Sequence, residues 1–182
     1  DVTVLSRSKE KDLLGVRRII GELNENMVQT FTRESFDIVI NNICMNENDA
    51  KKHVEYLSNL AKSHIVISSI GVYHQKGLEQ IPKEENFLPL DSRHYFLDEP
   101  YHDKRQAERL LSSTLSVHEL YILRPSVILG INDWTNRLGF YIQRLLDGQG
   151  IITCLNGSSY FQWTYDWQLA DVVIDIMRCP NR

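Results

Sequence analysis

The sequence has no apolar run near the roughly 20 residues that a bilayer-spanning helix requires, so no transmembrane segment is expected. It has no charged-then-apolar leader either. Asp1 to Arg7 reads as a strand, and no secretory signal is expected. Cysteine is scarce: Cys44, Cys154 and Cys179 are far apart and odd in number. With no CxxC pair and six scattered histidines, no metal site is expected. The thiols read as reduced, in a cytoplasmic protein, with two of them in the core. The net charge of −4 gives no general case for nucleic-acid or membrane binding. Internal repeats and low-complexity segments are absent.

What is present is an ordinary globular composition over 182 residues, 42% hydrophobic and 24% charged. That length can bury a sizeable core. Short β-branched runs alternate with helical patterns. The runs are Val2–Leu5, Arg17–Ile20, Asp37–Ile40, His64–Ile67 and Leu120–Leu123. Several are continuously apolar, as in strands covered on both faces. Ala50, Val54, Leu57, Leu60 and Ala61 form one helical stripe, begun near Asn48. Ala107, Leu110 and Leu111 form a second, on a helix that Pro100 can open. Leu138, Tyr141, Ile142, Leu145 and Leu146 form a third, ended by Asp147-Gly148. Strand–helix alternation predicts an α/β fold with a parallel, doubly wound sheet.

The polar stretch from Gln75 to Glu99 is too long for a plain connection, and an ordered active-site loop is expected there. Beyond Gly148 the pattern loosens. Short strands are expected at Ile151–Thr153 and Tyr160–Tyr165, around an Asn156-Gly157 turn, with a last helix over Trp167–Met177.

Three segments resemble the extended short-chain dehydrogenase/reductases, the NAD-dependent epimerase/dehydratase family. Ile65-Val66-Ile67-Ser68-Ser69-Ile70-Gly71-Val72-Tyr73 resembles that family's strand with an SSxxVY end. Tyr121-Ile122-Leu123-Arg124-Pro125 through Gly130 resembles its LRPxxxxG strand and loop beneath nicotinamide. Phe161–Tyr165 followed by Leu169-Ala170-Asp171 resembles the segment that returns to the substrate pocket, with Gln168 where the family usually has an acid. The resemblance covers nearly the whole chain. It implies a Rossmann-like NAD(P)-binding domain over 1–150 and the start of a substrate-binding region over 151–182.

The resemblance also implies roles. Ser69 takes the place of the active-site Ser/Thr, where a hydroxyl at a strand's carboxyl end can bond a substrate oxygen. A Ser pair capping the strand end would look the same. Val2–Leu5 aligns with the second family strand, whose terminal acid grips a ribose 2′-hydroxyl. Here Ser6-Arg7-Ser8-Lys9 stands instead. Ser6, Arg7 and Ser8 suit a 2′-phosphate, hence NADP rather than NAD, and a solvated basic loop is the alternative. Glu22 and Leu23 fall near the adenine position and Asn42 near a cofactor ribose. Arg124 and Pro125 fall near the nicotinamide.

Two departures matter. The family's opening strand and G-x-x-G-x-x-G turn have no counterpart, so the chain is expected to continue at both ends in a longer protein. The catalytic pair is also out of step. The family sets Tyr four residues before Lys; here Lys104 has Pro100 in that slot and Tyr101 one place late. Residues three and four apart are both helix neighbours, so Tyr101 keeps a route to Lys104. A helix-start aromatic is the plain alternative.

The resemblance thus implies an NAD(P)-dependent epimerase, dehydratase or reductase. Its substrate would be a small molecule, nucleotide-sugar-like or a simple carbonyl. Ser69, Tyr101 and Lys104 would be catalytic, with Lys104 also touching the cofactor. A homodimer fits the family, while nucleic acid is not an expected partner of the enzyme. The alternative is a silent member that binds dinucleotide as a regulator, or binds RNA.

Overall fold

The computed structural model describes residues 1–7, 14–31, 34–73, 99–116, 120–131, 133, 135–151, 157–158 and 161–179, without the side chains of Glu99, Pro100 and Tyr101. The expected active-site loop, apart from its last residue Glu99, lies outside the described residues, as does Ser8. In chain order the elements are β1 (Val2–Ser6), β2 (Val16–Ile20), α1 (Glu25–Val28), β3 (Phe36–Asn41), α2 (Glu47–Leu57) and β4 (Ala61–Ile67). There follow α3 (Glu99–Thr114), β5 (Leu120–Leu123), β6 (Val127–Leu129), α4 (Arg137–Leu146), β7 (Trp163–Tyr165) and α5 (Asp166–Arg178). Every described strand pair is parallel, as strand–helix alternation requires. The fold is α/β and Rossmann-like.

The chain divides into two compact units, Asp1–Ser68 with Leu88–Leu123 and Ser69–Phe87 with Arg124–Arg182. In the first, β1 pairs with β2, and β3, β4 and β5 form a three-stranded sheet in that order. Among the described residues β1 and β3 each pair along one edge only. The core gathers Cys44, Ala50, Val66, Ala107 and Leu111, with Val54, Leu110, Leu115 and Leu120 packed against it. The expected stripe on α3 therefore faces inward. Ala50 on α2 and Ala107 on α3 are small, which lets the two helices approach closely. Leu111 is fully buried, a contribution of about 2 kcal/mol at ordinary transfer values.

Helix α2 begins one residue earlier than the stripe suggests, because Asn46 caps it by accepting the Asp49 N–H at 3.0 Å. It also ends earlier. Leu60 and Ala61 continue the helical spacing in sequence, but Ser58 donates its hydroxyl to the Val54 carbonyl and Ala61 opens β4 opposite Phe36. Ladder pairing with β3 overrides the period there.

In the second unit β6 pairs with β7, Val127 opposite Trp163. The segment from Tyr121 to Gly130 is two strands, since Pro125 has no N–H to give a ladder. Gly130 ends β6 where a Cβ would overlap the Asp166 carboxylate, so the bare backbone lets the first residue of α5 sit against it. Helix α4 ends at Asp147-Gly148 as expected, with Gly148 at φ +69°. The strand expected from Tyr160 starts at Trp163 instead, with Phe161 and Gln162 irregular. Residues 152–156 and 159–160 lie outside the described residues, and the strand and turn expected there with them. Of the cysteines, Cys44 is buried and Cys179 exposed, while Cys154 lies outside the described residues.

Candidate functional site

At the carboxyl ends of β1 and β2, Ser6 stands opposite Ile20 and its carbonyl accepts the Gly21 N–H at 2.9 Å. That bond holds Ser6-Arg7 and Gly21-Glu22-Leu23 at one end of the pair. Arg7 and Glu22 are exposed and Leu23 half-buried. Arg18 Nη1 donates to Ser6 Oγ at 3.2 Å. The period-2 alternation of β2 turns Arg17 the other way, onto Glu34 at 2.6 Å. Sequence reasoning missed Arg18, although two adjacent arginines in one strand must point to opposite faces. Arg18 and Ser6, with Arg7 next in the chain, are residue types that suit a phosphate monoester.

At the carboxyl end of β3 the turn Asn41–Met45 is pinned at both ends. Asn41 Oδ1 accepts the Ile43 N–H at 3.0 Å, and Asp49 Oδ2 accepts the Met45 N–H at 2.9 Å. Asn42 and Ile43 are exposed between those pins, with Ile43 68% accessible. In parallel sheets ligands approach from the carboxyl ends of the strands, the end on which this turn lies.

Beneath that turn, burial pushes the Cys44 thiol up to about 11, with Asp49 and Glu108 adding to the effect and Lys104 opposing it. The thiol is thus neutral and packs as a small apolar group. Lys104 is half-buried and its ammonium is pushed down by desolvation, while the charges of Glu108 and Asp49 hold it up. The fold therefore brings Lys104 into the electrostatic neighbourhood of the Asn41–Met45 turn. Arg105, the next residue, is buried and feels the Glu108 charge. Tyr101 lies in the first turn of α3, three residues before Lys104; its side chain lies outside the described residues.

Ser69 follows β4, and Arg124-Pro125 follow β5, its parallel neighbour. Ser69 Oγ accepts the Gly71 N–H at 3.2 Å and so caps the short 3₁₀ turn Ile70–Val72. Its O–H remains available to donate. The Ile70 N–H donates to the Pro125 carbonyl at 2.9 Å. Arg124 Nη1 donates to the Tyr73 hydroxyl at 3.2 Å, with the guanidinium 5.0 Å from the centre of that ring. Tyr73, the last residue of the SSxxVY-like segment, thus positions Arg124. Gln168 Oε1 accepts the Tyr165 N–H at 3.1 Å, so the residue in the acid's place helps to start α5.

Among the described residues no group of three or more His, Cys, Asp or Glu could hold a metal ion. No described helix is long and apolar enough to cross a membrane.

No family model and no curated protein matches the sequence. Solved structures do match the fold. An epimerase, Mth375, from Methanothermobacter thermautotrophicus superposes with a TM-score of 0.65 at 18% identity, over 100% of this chain and 60% of that one. A wide-type short-chain dehydrogenase/reductase from Veillonella parvula, solved with NADP, superposes with a TM-score of 0.57 at 17% identity, over 97% of this chain and 75% of that one. The chain shares a Rossmann-like α/β fold with these structures, and it spans 60% of the length of the epimerase.

Proposed function

We propose that the chain is the dinucleotide-binding part of an NADP-dependent epimerase, dehydratase or reductase acting on a nucleotide-sugar-like or small carbonyl substrate. The observation that carries this is the donor set at the end of β1, Arg18 on Ser6 Oγ with Arg7 exposed next to it. Cations and a hydroxyl there suit a 2′-phosphate, where an acid would suit a free 2′-hydroxyl. That one of the similar structures was solved with NADP supports the same choice. When bound, the nicotinamide would give or take hydride. The chain's own residues would do the rest. Ser69 would orient the substrate oxygen through its O–H. Lys104 would hold the nicotinamide ribose and favour the Tyr101 phenolate, and Tyr101 would move the proton. Asn42, Glu22 and Leu23 would flank the adenosine half, and Arg124 and Pro125 the nicotinamide.

The test is a fluorescence titration with NADPH and NADH. A charge-assisted Arg–phosphate bond contributes roughly 1.5–3 kcal/mol, so Arg7→Ala should weaken NADPH binding about ten- to a hundredfold and leave NADH nearly unchanged. Equal losses for both would remove Arg7 from the 2′-phosphate.

A second reading is a dinucleotide-binding regulator without turnover. Gln168 favours it, since its amide is committed to capping α5 rather than to chemistry. NADPH binding with no oxidation across a panel of carbonyl substrates would support it.

A further inference from the structure

Two histidines lie in the core of the first unit, and the proposed chemistry uses neither. His53 on α2 and His64 on β4 are 0% and 1% accessible, and Asn41 at the end of β3 is 7% accessible. They form one chain of hydrogen bonds. Asn41 Nδ2 lies 3.0 Å from His53 Nδ1, His53 Nε2 lies 3.2 Å from His64 Nδ1, and His64 Nε2 lies 3.1 Å from the Ala61 carbonyl.

The ends of this chain fix its direction. The Asn41 oxygen already accepts the Ile43 N–H, so its amide nitrogen faces His53 and must donate. His53 Nδ1 therefore accepts, which puts its proton on Nε2. His64 Nδ1 then accepts, and His64 Nε2–H donates to a carbonyl that can only accept. In these bonds each ring is neutral with its proton on Nε2. A proton added to His53 Nδ1 would oppose the Asn41 N–H. One added to His64 Nδ1 would oppose the His53 Nε2–H.

We infer that His53 and His64 are positioning residues which, only as neutral imidazoles, lock Asn41 and through it the Asn41–Met45 turn, making that turn's grip on a dinucleotide dependent on pH. The link to dinucleotide rests on the function proposed above; the lock itself does not. The groups acting on His53 agree with the geometry. Burial and the neighbouring His64 push its pKa down to about 4. From β3 the facing group is the uncharged Asn41, and from β4 it is His64. Toward α3 the charged groups are Lys104 and Glu108, which with Asp49 of α2 act on Cys44.

The Ile43 amide reports the lock directly, because its hydrogen bond ends on Asn41. Hydrogen exchange at that amide is to be followed in the intact protein from pH 7 to pH 5, corrected for intrinsic rates. Opening that takes up a proton at an ordinary histidine pKa should rise about twentyfold over that interval. His53→Gln can accept from Asn41 and donate to His64 without titrating. It should keep the protection seen at pH 7 and flatten the profile. His53→Leu leaves Asn41 without its acceptor and should lose protection at every pH. NADPH affinity should follow the same order among the three proteins.

A flat wild-type profile, or the same profile in wild type and His53→Gln, would overturn the inference. So would NADPH affinity in His53→Leu equal to that of wild type at pH 7 while its exchange protection is lost. If wild type binds no NADPH at pH 7 but exchange behaves as described, the dinucleotide reading falls and the lock stands.

Discussion

At the scale of single residues, the sharpest question is the tyrosine displaced by one position. A free tyrosine has a pKa near 10, so bringing it to about 7 takes roughly 4 kcal/mol of electrostatic help. Lys104 can supply part of that only if the hydroxyl comes within about 4–6 Å. On a verified carbonyl substrate, Tyr101→Phe is expected to cost at least about a hundredfold in turnover, measured as kcat. Full activity in that variant would sink the proposed proton transfer. Lys104→Ala is expected to lower both kcat and NADPH affinity, because its two proposed roles, in proton transfer and at the ribose, are separable. The apolar runs mark the strand ends, and Ser6, Ser69 and Arg124 were legible there through the resemblance to the family's motifs. Arg18 and Tyr73 were not, since what makes them matter is a partner across a ladder or from a distant segment. The histidine chain was hidden for the same reason. His64 leads an apolar run and reads as an ordinary strand residue until His53 arrives from another element.

At the scale of elements, the strands were legible and the boundaries less so. All five runs became strands, and three apolar stripes became α2, α3 and α4. The stripe over α2 overran the helix because periodicity cannot see that Ala61 pairs with Phe36. Packing between elements gives two measurable expectations. Leu111 sits fully buried where α3 meets the core, so Leu111→Ala should cost about 2–5 kcal/mol in chemical denaturation. A surface-like cost under about 0.5 kcal/mol would contradict that packing. In the second unit, Gly130→Ala forces a methyl into the Asp166 carboxylate and should cost about 1–3 kcal/mol. Adding Asp166→Ala should restore part of that loss, and no restoration would place the strain elsewhere.

At the scale of the whole molecule, buried titrating groups set how stability depends on pH. The folded pKa of His53 is depressed from 6.5 to about 4, so the unfolded chain takes up its proton first. The stability His53 contributes is fully present above 6.5 and is lost as pH falls toward 4, on the order of 3 kcal/mol. Cys44 acts at the other end. Its folded pKa is raised from 9.0 to about 11, so its contribution is present below 9 and is lost as pH rises toward 11. Urea midpoints should therefore be highest between about pH 7 and pH 9 and fall on both sides. In His53→Gln the acid-side fall should shrink.

The parallel ladders also bear on how the chain finds its structure. No described pair is a hairpin, so no strand can zip onto the one before it through a tight turn. Val2 must find Val16, Phe36 must find Ala61, and His64 must find Leu120, which closes by far the longest loop in the first unit. Loop closure precedes the contacts that reward it, so folding should be slow for a chain of this size. The unit β3–α2–β4 has the helix that can form early and the shorter closure. In pulse-labelling during refolding, amides of β3 and β4 should become protected before those of β5, leaving an intermediate whose unpaired β4 edge is open to another molecule until β5 docks.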